Sequence, residues 1–241
     1  MQGLGNDFIV IEGPATLTPE EIDALCDRRF GIGADGVLVV TRGEPITMEY
    51  WNADGSAAEM CGNGLRCVAR FAYDRGWAPG PDFQVDTPVG LRGVRVHDGL
   101  VEAELGPAVL DGRREIDGRE YQVVDVGNPH AVTFVDDPSE VDVVGIGTAA
   151  QGEFASGSNV EFATLTDDGI TMRVWERGVG ETLACGTGMA AVAAVANRMF
   201  EVESPVAVTV PGGQASIDLR DGVAWIIGPA EYSFRGSVEA R

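Results

Sequence analysis

Two similar cysteine phrases stand in separate halves of the chain. CGNG begins at Cys61 and CGTG begins at Cys185, and a mainly apolar stretch follows each phrase. That pattern predicts that each cysteine lies just before a buried helix. A helix N-terminus carries about half a positive charge and several free backbone N–H groups. A cysteine there ionises more readily, and the same N–H groups can bind a carboxylate.

Two thiols of this kind suit the inversion of a stereocentre. If the two halves face each other, both helix N-termini would meet at one cleft, with a thiol on either side of a substrate α-carbon. One thiolate would remove the α-proton from one face, and the opposite thiol would return a proton to the other. Because the α-carbon is a weak acid, the site must also orient the substrate and stabilise the developing carbanion.

The same residues allow a second interpretation. A lone buried cysteine usually packs as a small apolar side chain, and a sequence repeat can be purely structural. The residues alone therefore leave two-thiol catalysis and a structural duplication both open. For the two remaining cysteines, Cys26 and Cys67, helical periodicity places the thiol on an apolar face, and we predict that both belong to the core.

Several other kinds of chemistry are disfavoured. The spacing of Cys61 and Cys67 fits no common zinc site, the chain has 2 His, and no C-x-x-C pair is present. GIGADG at 31–36 matches the dinucleotide pattern, but a predicted helix precedes it and a strand follows, which inverts the required context. We therefore expect no metal and no cofactor.

Charge and hydropathy narrow the range of partners. The 241 residues carry a net charge of −21, and all 17 basic residues are Arg. An acidic surface repels phosphate backbones and anionic lipids, so we expect neither nucleic acid nor a membrane as a partner. The opening residues lack a signal-peptide pattern, and MAAVAAVA at 189–196 is too short to cross a bilayer. We predict a cytoplasmic protein with free thiols.

Short strands dominate the predicted secondary structure. One helix is well marked, because Thr18 can cap it, Pro19 suits its first position and Glu21 completes a capping box. Arg28 and Arg29 suit its C-terminal end, and Gly31 would stop it. The strands, rich in β-branched residues and separated by Gly, Asp and Pro, are predicted at 7–12, 37–40, 46–51, 83–87, 91–97, 100–105, 121–126, 131–136, 160–165, 170–175, 206–210, 215–219, 223–228 and 231–236.

These elements occur twice in one order, which indicates a duplicated domain. Trp51 lies ten residues before Cys61, and Trp175 lies ten residues before Cys185. GND at 5–7 has a counterpart in GNP at 127–129. The polar, turn-rich segment 106–120 suits a boundary. We therefore predict one half at 1–110, a second half at 111–230, and a C-terminal strand within 231–241 that returns to the first half.

The chain resembles the diaminopimelate epimerase family along nearly its whole length. The phrases that carry the resemblance are GLGNDF at 3–8, WNADGSAAEMCGNGLRC at 51–67, VGNPHAV at 126–132, SNVEF at 158–162 and VWERGVGETLACGTG at 174–188. The resemblance implies an α+β fold of two pseudo-symmetric domains, each a curved mixed sheet around a central helix. It further implies a homodimer that converts LL-2,6-diaminopimelate to the meso form, without pyridoxal phosphate or metal, for lysine and peptidoglycan synthesis.

The resemblance also assigns roles to residues. Cys61 and Cys185 become the acid–base pair and exchange roles with the direction of reaction. His130 and Glu176 become groups that tune the acidity of the thiols. Glu176 and Arg177 would meet the distal amino acid end of the substrate, for which a guanidinium suits a carboxylate. The substrate-binding residues implied are Asn6, Asn52, Gly62, Asn63, Asn128, Asn159, Glu176, Arg177, Gly186 and Thr187.

Gly36 departs from the family pattern, and two alternatives remain. Many relatives carry Gln where Gly36 stands, so one substrate contact is either missing or supplied by backbone. A racemase of the same fold that acts on proline, hydroxyproline or another small acid is the nearest alternative enzyme. A non-catalytic binder of small molecules is the alternative from another class, and the presence of both cysteines argues against it.

Overall fold

The chain divides into two compact units in this computed structural model, which describes residues 1–58 and 60–238. The first unit holds Met1–Val101 together with the segment from Pro229 onward, and the second holds Glu102–Gly228. The bounds of compact units do not test whether the sequence is duplicated. The duplicated halves expected at 1–110 and 111–230 therefore stay a prediction. In the described ranges, no helix is both long and apolar enough to cross a membrane.

Among its described residues, the first unit is a mixed sheet with two helices. Its elements are β1 (Gln2–Gly3), β2 (Asn6–Glu12), α1 (Pro19–Cys26), β3 (Gly36–Thr41), β4 (Ile46–Asn52), α2 (Gly62–Asp74), β5 (Asp82–Thr87) and β6 (Gly90–His97). Strands β2 and β3 are parallel, β3 and β4 antiparallel, β4 and β5 parallel, and β5 and β6 antiparallel, in the order β1-β2-β3-β4-β5-β6.

The second unit repeats this pairing and extends it. Its elements, of which the first and last strands cross the bounds of the unit by one or two residues, are β7 (Leu100–Pro107), β8 (Val109–Ile116), β9 (Arg119–Asp125), β10 (Pro129–Phe134), a 3-10 turn (Pro138–Glu140), α3 (Val143–Gly152), β11 (Asn159–Thr166), β12 (Gly169–Glu176), β13 (Gly180–Thr182), α4 (Gly186–Phe200), β14 (Val206–Val210), β15 (Gly213–Arg220) and β16 (Val223–Pro229). Here β10 and β11 are parallel, β11 and β12 antiparallel, β12 and β14 parallel, and β14 and β15 antiparallel.

The two units match strand for strand, which confirms the predicted α+β fold of two pseudo-symmetric halves. The register agrees as well, because Val37 pairs with Trp51 in the first unit and Val160 pairs with Trp175 in the second. A helix follows each of these antiparallel pairs, α2 in the first unit and α4 in the second. Residues 186–196 of α4 are all buried, as expected for a helix with no polar face.

Local signals fixed the start of α1 but not its end. Thr18 accepts from the Glu21 N–H and the Glu21 carboxylate accepts from the Thr18 N–H, so the predicted capping box is confirmed. The helix ends at Cys26, however, and the prediction that Arg28 and Arg29 occupy its last turn is wrong. Arg28 instead forms salt bridges with two aspartates outside the helix, because two carboxylates attract a guanidinium more strongly than a helix terminus does.

Three further elements differ from expectation. The segment 106–120 is no loop, because β8 runs through it and pairs with β9; its side chains are exposed at all but the last position, so no alternation of hydropathy marks it. Helix α3, capped by Asp142, was not predicted. The strand expected at 231–236 is reduced to one bridge, in which Glu231 and Gln2 exchange backbone hydrogen bonds. Residues 239–241 of the expected return lie outside the described residues.

The thiols predicted to be core residues are buried. Cys26 packs among apolar residues of α1 and β3, and burial raises its pKa to about 11. Cys67 lies inside α2 with no exposed surface, and burial raises its pKa to about 12. Neither thiol lies at a helix start, which leaves Cys61 and Cys185 as the candidates for chemistry.

The core of the second unit gives a test of the fold. Phe162 on β11 is fully buried, and its replacement in Phe162→Ala is expected to lower the free energy of unfolding by about 3–5 kcal/mol, because a large cavity remains. Phe30→Ala is the matched control, since Phe30 is 84% exposed, and it should change stability by no more than about 0.5 kcal/mol. Chemical denaturation followed by circular dichroism measures both, and equal effects would contradict the assignment of the core.

Candidate active site

The first candidate half-site is built on the N-terminus of α2. Cys61 is the N-cap residue, with extended backbone angles, and its sulfur accepts a hydrogen bond from the Gly64 N–H at 3.3 Å. Cys61 is a free thiol and is partly exposed. The sulfur thus takes the place that a Ser or Asp oxygen usually has at a helix start. The position predicted for Cys61 is confirmed.

Asn6 holds the Cys61 sulfur from the neighbouring strand. The thiol donates to Asn6 Oδ1 at 3.5 Å, and Asn63 Nδ2 donates to the same oxygen at 3.3 Å. Asn6 Nδ2 in turn donates to Asp35 Oδ2 at 2.7 Å. Because a carboxylate accepts only, Asp35 fixes the orientation of the amide, with its oxygen toward the sulfur.

A buried arginine supports the same helix turn. Arg66 has no exposed surface; its Nη2 donates to Asn63 Oδ1 at 2.9 Å and its Nε donates to the Pro229 carbonyl at 3.3 Å. Burial lowers its pKa to about 10. Arg66 therefore orients Asn63 and ties the start of α2 to the C-terminal segment of the same unit.

Asn52 and Gly36 face each other across β3 and β4 at the edge of this half-site. Asn52 Nδ2 donates to Ser56 Oγ at 3.0 Å, which holds the turn after β4. A Cβ atom at position 36 would lie 2.4 Å from the Trp51 carbonyl oxygen and 2.8 Å from the Tyr50 ring. The protein therefore has no room for a side chain at position 36 without a shift of β4.

The second candidate half-site is built in the same way on α4. Cys185 is the N-cap residue, accepts from the Gly188 N–H at 3.4 Å, and lies 3.5 Å from Thr187 Oγ1. Only 6% of Cys185 is exposed. Burial raises its pKa well above the usual value, and the negative charges of Glu176 and Glu161 raise it further. The hydrogen bonds to Thr187 and Gly188 act in the opposite direction.

A chain of hydrogen bonds leads from the Cys185 sulfur into the core. Asn128 Nδ2 donates to Thr187 Oγ1 at 3.3 Å, and Asn128 Oδ1 lies 3.0 Å from His130 Nε2. His130 Nδ1 lies 2.6 Å from Glu161 Oε1, and neither side chain of this pair is exposed. His130 thus reaches Cys185 through two intermediates, and Glu161 stands at the end of the chain.

Asn159, Glu176 and Arg177 form a second group of predicted residues in this unit, and the charge of Glu176 acts on Cys185. Asn159 Oδ1 accepts from the Arg177 N–H at 2.9 Å, which fixes the turn after β12. Glu176 accepts a short hydrogen bond from the Thr182 hydroxyl. The Arg177 guanidinium is exposed and donates to the Ser156 carbonyl at 3.3 Å. An exposed arginine can be recruited by a carboxylate with little desolvation cost.

The structure therefore brings most predicted residues together within their own unit. Cys61, Asn6 and Asn63 are hydrogen-bonded in the first, and Cys185, Thr187, Asn128 and His130 form a chain in the second. Gly62 and Gly186 open α2 and α4, where their N–H groups are free of helical partners. The roles of these residues toward a substrate stay predictions.

Sequence reasoning missed three supporting residues, Asp35, Arg66 and Glu161. Each lies within a motif noted in the sequence, but no individual role was predicted for it. Glu161 had a readable signal, because it is an acidic residue inside an apolar strand, where a charge requires a partner. In the part of the chain that the structure describes, no three His, Cys, Asp or Glu side chains cluster as a metal site would require.

Solved structures with a similar fold define the class of the chain. One of them is a phenazine biosynthesis protein of the PhzF family from Enterococcus faecalis, with a TM-score of 0.78, 12% identity, and coverage of 98% of this chain and 94% of that one. A hydroxyproline epimerase from Agrobacterium vitis gives a TM-score of 0.69 at 15% identity. At such identities the likeness shows the shared fold alone.

The match to the hydroxyproline epimerase covers 95% of this chain and 87% of the other chain. A probable proline racemase from Agrobacterium radiobacter has the same fold, with a TM-score of 0.68 at 15% identity. The chain thus has the two-half fold that these racemases, epimerases and PhzF-type proteins share.

Sequence relatives narrow this class to one family. The family model described as diaminopimelate epimerase matches residues 1–110 and 122–232. A diaminopimelate epimerase of Desulfitobacterium hafniense is 40% identical over 98% of this chain and 95% of its own length. One of Methanocella arvoryzae is 39% identical over 99% of this chain and 95% of its own length. The chain belongs to the diaminopimelate epimerase family.

The environment of Cys185 predicts the pH dependence of its reactivity. In a Cys61→Ala variant, alkylation of Cys185 by iodoacetamide should still accelerate as the pH passes 9, because burial and two nearby carboxylates raise the pKa of this thiol above 9.0. Peptide mass spectrometry over a pH series measures the rate. The urea-unfolded chain is the control, since its thiols titrate near pH ~8.5. A folded-state profile that levels off below the unfolded one would contradict the prediction.

Proposed function

We propose that this protein epimerises LL-2,6-diaminopimelate to the meso form without pyridoxal phosphate or metal. One observation carries the proposal: two topologically equivalent halves each present a cysteine as the N-cap of a buried helix. Membership of the diaminopimelate epimerase family supports the choice of substrate. The product would serve lysine and peptidoglycan synthesis.

In the proposed reaction, the two thiols act as one acid and one base. A thiolate removes the α-proton, leaving its electron pair on the α-carbon, and the other cysteine donates its S–H proton to the opposite face. The first sulfur then carries a proton and the second is a thiolate, so the pair is set for the reverse reaction. Epimerisation requires both sulfurs to reach the same carbon, since neither alone can serve both faces.

The helix starts would stabilise the charge that develops on the substrate. Proton removal moves negative charge from the α-carbon into the α-carboxylate. Hydrogen-bond donors that are already in place stabilise this charge without having to rearrange. The N–H groups of Gly62 and Asn63 at α2, and of Gly186 and Thr187 at α4, are donors of this kind. Because a glycine opens each helix, no side chain obstructs the approach of a carboxylate.

The remaining polar residues would select a substrate with a second amino acid end. That end carries an ammonium and a carboxylate, and it needs acceptors as well as donors. Glu176 and Arg177 offer one of each on adjacent positions, and Asn159 holds the backbone between them. The amides of Asn6, Asn52 and Asn128 would meet the polar groups nearer the reacting carbon. Proline and hydroxyproline lack a second amino acid end, so these residues favour diaminopimelate.

Cellular context and assembly are part of the proposal. A biosynthetic role with free thiols suits the reducing cytoplasm, and all four cysteines are free. The homodimer implied by the family resemblance stays a prediction, which size-exclusion chromatography with light scattering would test.

Exchange of the α-hydrogen with solvent tests the proposed chemistry. In D₂O, the protein should incorporate deuterium at the α-carbon of diaminopimelate, and Cys61→Ser or Cys185→Ser should lower kcat for epimerisation by about 10²–10⁴-fold, because each removes one general acid–base group. Proton NMR and chiral chromatography follow exchange and inversion separately.

Two other substrates serve as controls in the same assay. Exchange with proline or hydroxyproline in place of diaminopimelate would favour the related racemase. Binding of diaminopimelate without any exchange would favour a non-catalytic binder. Full activity in either cysteine variant would contradict the two-thiol mechanism.

Oxidation tests whether the two sulfurs serve one carbon. If they do, a mild oxidant without substrate should join Cys61 to Cys185 and abolish activity, and a thiol reductant should restore it. A peptide map identifies the crosslink, and bound substrate should slow its formation. Inactivation that a reductant does not reverse, with no such crosslink, would count against the proposed pairing.

A further inference from the structure

The matched registers of the two units reveal one difference at the candidate site. Phe8 on β2 pairs with Gly36 on β3, and His130 on β10 pairs with Asn159 on β11. His130 therefore corresponds to Phe8, and two residues along the partner strand Glu161 corresponds to Leu38. The first unit is apolar at both positions, whereas the second buries a histidine and a glutamate there.

The contacts with the cysteine-bearing helix agree with this correspondence. A Cβ added at Gly64 of α2 would lie 3.3 Å from Leu38 Cδ2. A Cβ added at the equivalent Gly188 of α4 would lie 2.8 Å from Glu161 Oε1 and 3.3 Å from Cys185 Cβ. The Glu161 side chain thus packs against the first turn of α4, next to Gly188, whose N–H donates to the Cys185 sulfur.

The fold itself does not require the polar pair. The first unit builds the same strands and helix turn with Phe8 and Leu38, and apolar residues commonly replace a buried ion pair at no loss of stability. Burying a carboxylate costs free energy, and the second oxygen of Glu161 is buried with no hydrogen-bond partner among the described residues. A costly group that an equivalent site lacks calls for a functional explanation.

We propose that Glu161 is a positioning residue for Cys185. Held by His130 and packed against Gly188, its carboxylate favours the protonated form of the sulfur, so that Cys185 is the proton donor of the resting enzyme. The ionisable groups that face this sulfur are Glu176 from β12, Glu161 from β11 and, through Asn128 and Thr187, His130 from β10. The catalytic consequence rests on the proposed function, but the effect on the thiol does not.

Two variants test the proposal in a Cys61→Ala background, where Cys185 is the reporter. Glu161→Gln removes the charge and keeps the shape. His130→Phe combined with Glu161→Leu installs the pair that the first unit already uses. In both, the pH profile of Cys185 alkylation should move to lower pH, with about tenfold faster alkylation at pH 8. Labelling is read at the Cys185 peptide, so Cys26 and Cys67 do not contribute.

A matched control and a stability measurement separate positioning from packing. Glu153→Gln removes an exposed carboxylate of the same unit and should leave the profile unchanged. An unchanged profile in Glu161→Gln together with a lower melting temperature would make Glu161 a packing residue and overturn the proposal. A profile that moves to higher pH would overturn it as well, because Glu161 would then favour the thiolate of Cys185 and not the thiol.

Kinetics with the native cysteines give a second readout. Glu161→Gln should lower kcat for epimerisation about tenfold and leave KM within about twofold, since Glu161 acts through Cys185 and not on the substrate. A raised KM with unchanged kcat would place Glu161 in substrate binding and overturn the proposal. If no epimerisation occurs in the unaltered protein, the proposed function fails while the alkylation measurement still decides the role of Glu161.

Discussion

The placement of a sulfur at the N-cap of a buried helix is the constraint on which both half-sites depend. Burial opposes ionisation of a thiol, while the helix N-terminus and its donated hydrogen bond favour it. At Cys185 burial dominates, and its pKa is raised despite the donors at Thr187 and Gly188. The helix terminus thus supplies hydrogen-bond donors in a fixed geometry, and the neighbouring charges determine how readily the thiol loses its proton.

Small residues make this arrangement possible. The third residue after each cysteine donates its N–H to the sulfur, and in both units that residue is glycine. At Gly188 a side chain would collide with Glu161. The last glycine of the phrase CG-x-G therefore meets a packing requirement, because the backbone of the helix start approaches the neighbouring strand too closely for a side chain.

The sequence was sufficient for the features that depend on local chemistry or on repetition. The capping box at Thr18, the two cysteine-capped helices and the duplicated α+β fold all follow from spacing and residue type. Strand β8 was not predicted, because its side chains are exposed at all but the last position. Such a strand lacks the alternation of apolar and polar residues on which strand prediction depends. Asp35, Arg66 and Glu161 were not predicted because they act on other residues, and only the contacts in the folded chain show which residues those are.

Duplication gives the two half-sites one backbone plan, but their polar groups differ in a way that the reaction can use. Across the matched registers, Leu38 and Asn52 of the first unit correspond to Glu161 and Glu176 of the second. The second unit thus places two carboxylates around its sulfur where the first places an apolar side chain and a neutral amide. In the proposed reaction, which begins with one thiol and one thiolate, such a difference would favour one of the two possible arrangements of the proton. The asymmetry therefore lies in side chains that the shared fold leaves free to vary.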